Sequence, residues 1–131
     1  MRRMKGEKYS KKSRSAGHKI PPIGKRELEF LQEFKGRLLR RYSDRIRQVA
    51  LFGSRATLNA REDSDYDVFI KVDRKDRQLT DGIFDLAYDI YIESDLTIDI
   101  SPVIMTEEYF QDRISKERKI AEDIQREGIP L

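Results

Sequence analysis

Asp65-Tyr66-Asp67 constrains this chain more than any other stretch. It opens the run Asp65 to Val72, where Tyr66, Val68, Ile70 and Val72 alternate with Asp65, Asp67, Phe69 and Lys71. A period of two predicts a β-strand, so the two carboxylates project from one face of a sheet. Side by side they repel, and a fold tolerates that cost when a cation sits between them. Hard oxygen donors with no cysteine or histidine nearby suit Mg²⁺ or Mn²⁺.

The segment before this strand has the chemistry to meet an anion. Val49-Ala50-Leu51-Phe52 ends a short apolar run, Ile46 to Phe52, which reads as a buried strand. Gly53-Ser54 follows it, a turn whose backbone amides can approach phosphate oxygens closely, with the Ser54 hydroxyl as a further donor. Arg55 adds a guanidinium suited to a polyphosphate. Further on, Leu96 to Ile104 alternates again, with Thr97, Asp99 and Ser101 on its polar face. Strands disfavour aspartate, so Asp99 calls for an explanation. If its strand neighbours that of Asp65 and Asp67, the three carboxylates converge. Such a set holds metal ions across an in-line displacement at phosphorus, or accepts the proton of an attacking hydroxyl.

The rest of the chain reads as support for these strands. Lys25 to Tyr42 carries Leu28, Leu31, Phe34, Leu38 and Tyr42 at helical spacing, and Leu79 to Ile92 carries Leu79, Ile83, Leu86, Ala87 and Ile90. Arg55 to Ser64 is expected to form a short helical or looped crossover. Thr106 is placed to cap an acidic helical turn, and Ser115 to Glu127 predicts a last helix packing through Ile114, Ile120 and Ile124, with Gly128 as its stop. The order predicts an α/β (α+β) domain: a small mixed β-sheet with helices packed on one side.

Charge divides the chain in two. Residues 1–19 hold eight basic groups against Glu7, a net of +7, while the whole chain is +3, so residues 20–131 sum to −4. The pI of about 9.1 therefore belongs to a Lys- and Ser-rich segment with few apolar residues, expected to be a disordered tail over 1–23, ahead of a domain over 24–131. The absence of cysteine excludes disulfides and thiol chemistry. No apolar run reaches the roughly 20 residues that span a bilayer, and the basic N-terminus lacks the apolar segment of a secretory signal, so a soluble cytoplasmic protein with no membrane partner is expected.

Gly53-Ser54, ten intervening residues and Asp65-Tyr66-Asp67 together resemble the GSx10DxD signature of the DNA polymerase β-like nucleotidyltransferase superfamily. Leu51-Phe52-Gly53-Ser54-Arg55-Ala56 is similar to its minimal nucleotidyltransferase branch, although Thr57-Leu58-Asn59 stands where many relatives have a glycine. The resemblance covers about residues 25–131 and implies a nucleotidyltransferase fold. It further implies that Asp65, Asp67 and Asp99 are the catalytic and metal-binding carboxylates for two Mg²⁺ ions, and that Gly53 and Ser54 hold the nucleoside triphosphate, ATP. At this size there is no room for the extra domains of polymerases and tRNA- or drug-modifying relatives. The minimal branch is paired with a HEPN ribonuclease toxin, which it binds as antitoxin and modifies by transferring AMP to a tyrosine hydroxyl. Two alternatives stand beside this expectation: an antitoxin that only binds, and a transferase acting on a nucleic acid, docked by the basic tail, or on a small molecule.

Overall fold

The computed structural model describes residues 23–56, 65–116 and 119–131, and the side chain of Ser54 is outside that description. Residues 1–22 of the tail expected over 1–23 and the Thr57–Ser64 part of the crossover also lie outside the described residues. The elements in chain order are α1 (Lys25–Tyr42), β1 (Ile46–Phe52), a 3-10 turn (Gly53–Ala56), β2 (Tyr66–Val72), α2 (Arg77–Glu93), β3 (Ile100–Thr106), α3 (Glu107–Ser115), α4 (Lys119–Glu127) and β4 (Ile129–Pro130).

The four strands form one mixed sheet in the order β3-β2-β1-β4. β1 runs antiparallel to β2, with Phe52 opposite Asp67, and β2 runs parallel to β3, with Asp67 opposite Ser101. This arrangement puts the end of β1 and the starts of β2 and β3 at one end of the sheet. Short β4 pairs Ile129 with Leu51 and Pro130 with Ala50, and the Leu131 N–H donates to Val49 O at 3.0 Å. Two residues give no periodicity to read, so this strand is invisible to sequence patterning.

Alternation on the strands feeds two cores. Val49, Leu51, Tyr66, Val68, Ile70, Ile100 and Ile104 face α1 and α2, where Leu31, Phe34, Leu38, Leu79, Ile83 and Ile90 are buried. The opposite parity, Phe52, Phe69 and Met105, packs against Phe110 of α3 and Ala121 and Ile124 of α4. The expectation of helices on one side is therefore corrected: helices cover both faces. The reason is Phe69, which shares the parity of Asp67 but sits fully buried against Phe110, with ring centroids 5.0 Å apart. Farther along the same face, the Lys71 ammonium lies over the Phe110 ring and pairs with Glu107 at 2.8 Å. Asp67 stands at the Gly53 end of that face, opposite Phe52.

Thr106 caps α3 by accepting the Tyr109 N–H at 3.1 Å, as its position predicts. The acidic turn that Thr106 opens runs on as α3 to Ser115, and the last helix, expected from Ser115, begins instead at Lys119 as α4. The restart at Lys119 turns Ala121 and Ile124 inward and leaves Ile120 exposed. The third strand also begins later than its pattern suggests, at Ile100 rather than Leu96, because Asp95 and Leu96 both adopt positive φ (61° and 63°). A left-handed pair breaks strand geometry, and it leaves Leu96 57% exposed. No helix among the described residues is long and apolar enough to cross a membrane.

Arg45 ties the start of β1 to the turn before α2. Its guanidinium donates to Asp73 at 3.0 Å and Arg74 O at 2.8 Å, and pairs with Asp76 at 2.9 Å. Desolvation alone would raise Asp73, but the Arg45 hydrogen bond, the Arg74 N–H and the two guanidinium charges outweigh it and hold it low. Asp76 is held low first by the Leu79 N–H that it caps and, further, by Arg45. Depressed folded values mean that this stabilisation is present above the ordinary carboxylate value of about 3.9 and is lost as pH falls through the folded values. Thermal melts in acid should show wild type losing more stability than Arg45→Ala below about pH 4; parallel losses would contradict the assignment. Phe69→Ala should cost about 3–5 kcal/mol in urea unfolding, whereas a loss below about 1 kcal/mol would show that the second core is not tightly packed.

Candidate active site

The site lies where β1 ends and β2 and β3 begin. Gly53 leaves β1 with φ +76°, a left-handed conformation that favours glycine, and a Cβ there would collide with Asp67 Oδ2. The backbone of the Gly53-Ser54 turn is thus pressed against the Asp67 carboxylate, which is partly buried at the start of β2. Asp65 precedes that strand and is exposed. Asp99 precedes β3, and its carbonyl accepts the Tyr66 N–H at 2.8 Å, a bond that extends the parallel ladder past Ile100 and sets Asp99 beside Asp65.

Electrostatics show the three acids acting on one another. Asp67 is pushed up by desolvation first and then by the charge of Asp65. Asp99 is pushed up by partial desolvation at the mouth of the site, by the charge of Asp65 and by a side-chain hydrogen bond with it. Repulsion of this kind is relieved by a bound cation. The donors are all hard oxygens, fitting a divalent ion in kind. Among the described residues, however, no three acidic or histidine side chains are gathered at the spacing of one metal shell. Asp65 is the common neighbour, with Asp67 on one side and Asp99 on the other.

Arg55 places its guanidinium over the Tyr66 ring, 4.4 Å from the centroid, on the α1 and α2 side of the sheet. Tyr66 itself is pushed up by burial, against which the Arg55 charge acts.

Sequence reasoning missed the groups that hold Asp99 in place. Buried Ser94 donates to Tyr91 O at 3.1 Å and accepts the Ile98 N–H at 2.9 Å, closing the turn that contains the left-handed pair. Arg26, in the first turn of α1, donates to Ser94 O at 2.9 Å and to Thr97 Oγ1 at 3.0 Å. Both are positioning residues. A serine just after a helix marks a possible cap, but the reach of Arg26 across 68 residues has no local signal.

The family model described as "Polymerase beta, Nucleotidyltransferase" matches residues 36–127, which is 92 of the 131 residues and includes Gly53, Asp65, Asp67 and Asp99. The chain belongs to this nucleotidyltransferase family. Among solved structures, the domain is similar to a candidate nucleotidyltransferase from Sulfolobus solfataricus, at 16% identity over 80% of this chain and 78% of that one, with a TM-score of 0.47. That likeness is too distant to add to the assignment. No curated protein matches the chain in sequence. Members of the family generally use a nucleoside triphosphate and a divalent metal. In this nucleotidyltransferase domain, Gly53→Ala should strain the turn and displace Asp67, lowering nucleotide transfer by at least about a hundredfold while the fold is kept. Undiminished transfer by a folded Gly53→Ala variant would show that the turn is not part of the site.

Proposed function

We propose that this nucleotidyltransferase moves AMP from ATP, with Mg²⁺, to a tyrosine hydroxyl of a partner HEPN ribonuclease, and so acts as its antitoxin. The observation that carries the transfer chemistry is the abutment of Gly53 on Asp67, with Asp65 and Asp99 next along the same end of the sheet. The choice of partner rests on the similarity of Leu51 to Ala56 to the minimal branch.

Each residue then has a task. Backbone amides of the Gly53-Ser54 turn bind the triphosphate, and the left-handed Gly53 lets it lie close to Asp67. Asp65 and Asp67 would hold the Mg²⁺, which when bound neutralises phosphate oxygens and polarises the α-phosphorus. The acceptor oxygen attacks that phosphorus, a new P–O bond forms, the bond to the bridging oxygen breaks and pyrophosphate leaves. The hydroxyl proton passes to Asp99, whose raised affinity for protons suits a base that must take one up.

The test is label transfer from α-labelled ATP to the protein encoded beside this chain, with Mg²⁺ present. Wild type should label it, and Asp65→Asn with Asp67→Asn should reduce labelling by at least about a thousandfold. A double variant that labels as well as wild type would exclude the site. A double variant that labels nothing yet still protects cells would replace catalysis by simple binding.

A further inference from the structure

Next to Asp99 the domain has a cleft of about 340 Å³, lined by Phe84, Ala87, Tyr88 and Tyr91 of α2 together with Asp99 and Ile100. Phe84 is 49% and Tyr88 62% exposed, and the Tyr88 and Tyr91 rings lie 6.4 Å apart. Exposed rings grouped around a concavity are uncommon on a surface with no partner. Helical spacing sets Asp81, Asp85 and Asp89 in a stripe beside these rings. Asp81 is paired with Arg77, but Asp85 and Asp89 have no ion pair among the described residues.

We propose that this face of α2 is the docking surface for the acceptor, a basic protein segment that seats an apolar or aromatic side chain in the cleft; the proposal rests on the transferase reading above. Two observations select this occupant. The strand order puts Gly53 and Asp99 on opposite sides of Asp65 and Asp67, so the phosphate-binding turn lies toward β1 and the cleft toward β3. Whatever fills the cleft therefore meets the Asp99 carboxylate from the side away from the triphosphate. The acidic stripe decides the charge: it repels a nucleic acid or a second triphosphate and attracts lysine and arginine. The exposed rings add cation–π surface for the same groups.

A random copolymer of lysine and tyrosine, fluorescently labelled, serves as the probe, with binding to the full chain read by anisotropy at about 0.15 M salt, where unspecific long-range attraction is screened. Asp85→Lys with Asp89→Lys should weaken binding by roughly tenfold, and Phe84→Ala with Tyr88→Ala by a similar factor. Asp44→Lys with Glu108→Lys, which alters net charge equally but lines no part of the cleft, should leave binding unchanged. Equal weakening by both charge variants, or no effect of removing the rings, would overturn the proposal. Loss of ATP affinity in Phe84→Ala/Tyr88→Ala would overturn it too, by assigning the cleft to the nucleotide base. If the copolymer binds as expected but ATP labels no acceptor, the docking face stands and the transferase reading falls.

Discussion

Three carboxylates held close together in a small domain are the costly feature around which the rest is arranged. Each like charge raises the energy of its neighbours, and Asp67 and Asp99 are both pushed up, by desolvation first and then by the charge of Asp65. What keeps the acids together is backbone geometry. The antiparallel pairing of β1 with β2 brings Gly53 to Asp67, and the parallel pairing of β2 with β3 brings Asp99 to Asp65. Hydrogen bonds of the ladder and two apolar cores supply the stabilisation that offsets the repulsion. Tyr66 and Ile100 of the first core and Phe52 of the second reach this end of the sheet, so the acids sit at the border of the apolar packing.

The left-handed pair Asp95–Leu96 belongs to the same arrangement. A non-glycine residue in this conformation is unfavourable, and two in succession persist only when their surroundings fix them. Ser94, Thr97 and Arg26 do so through hydrogen bonds that join α2, the turn and the first turn of α1. The strain buys a sharp reversal after α2, so that the next strand starts with Asp99 beside Asp65. A strand running from Leu96, as the alternation suggests, would not need this device.

Much of the site is legible in the sequence because strand parity is strict: Asp65 and Asp67 share a face wherever they lie on one strand. Helices α1 and α2, strands β1 and β2 and the Thr106 cap follow from periodicity and capping chemistry. What escaped was decided by tertiary contact. Phe69 looks like a member of the polar face until Phe110 covers it. The strand at Ile129–Pro130 exists only because β1 offers an open edge. Arg26 gives no hint of its task from its place on an amphipathic helix. The family match, by contrast, spans residues 36–127 and gives the family without any of these contacts.

The division of the site into a donor side at Gly53 and an acceptor side at Asp99 is the central claim, and metal and nucleotide placement tests it most directly. Crystals of the chain grown with Mn²⁺ and an ATP analogue that cannot be cleaved between the α- and β-phosphates would locate both by anomalous scattering and difference density. The account predicts manganese between Asp65 and Asp67, phosphates against the Gly53-Ser54 backbone, and a cleft at Phe84 and Tyr88 free of nucleotide. Phosphates bound on the Asp99 side, or manganese held without either Asp65 or Asp67, would contradict it.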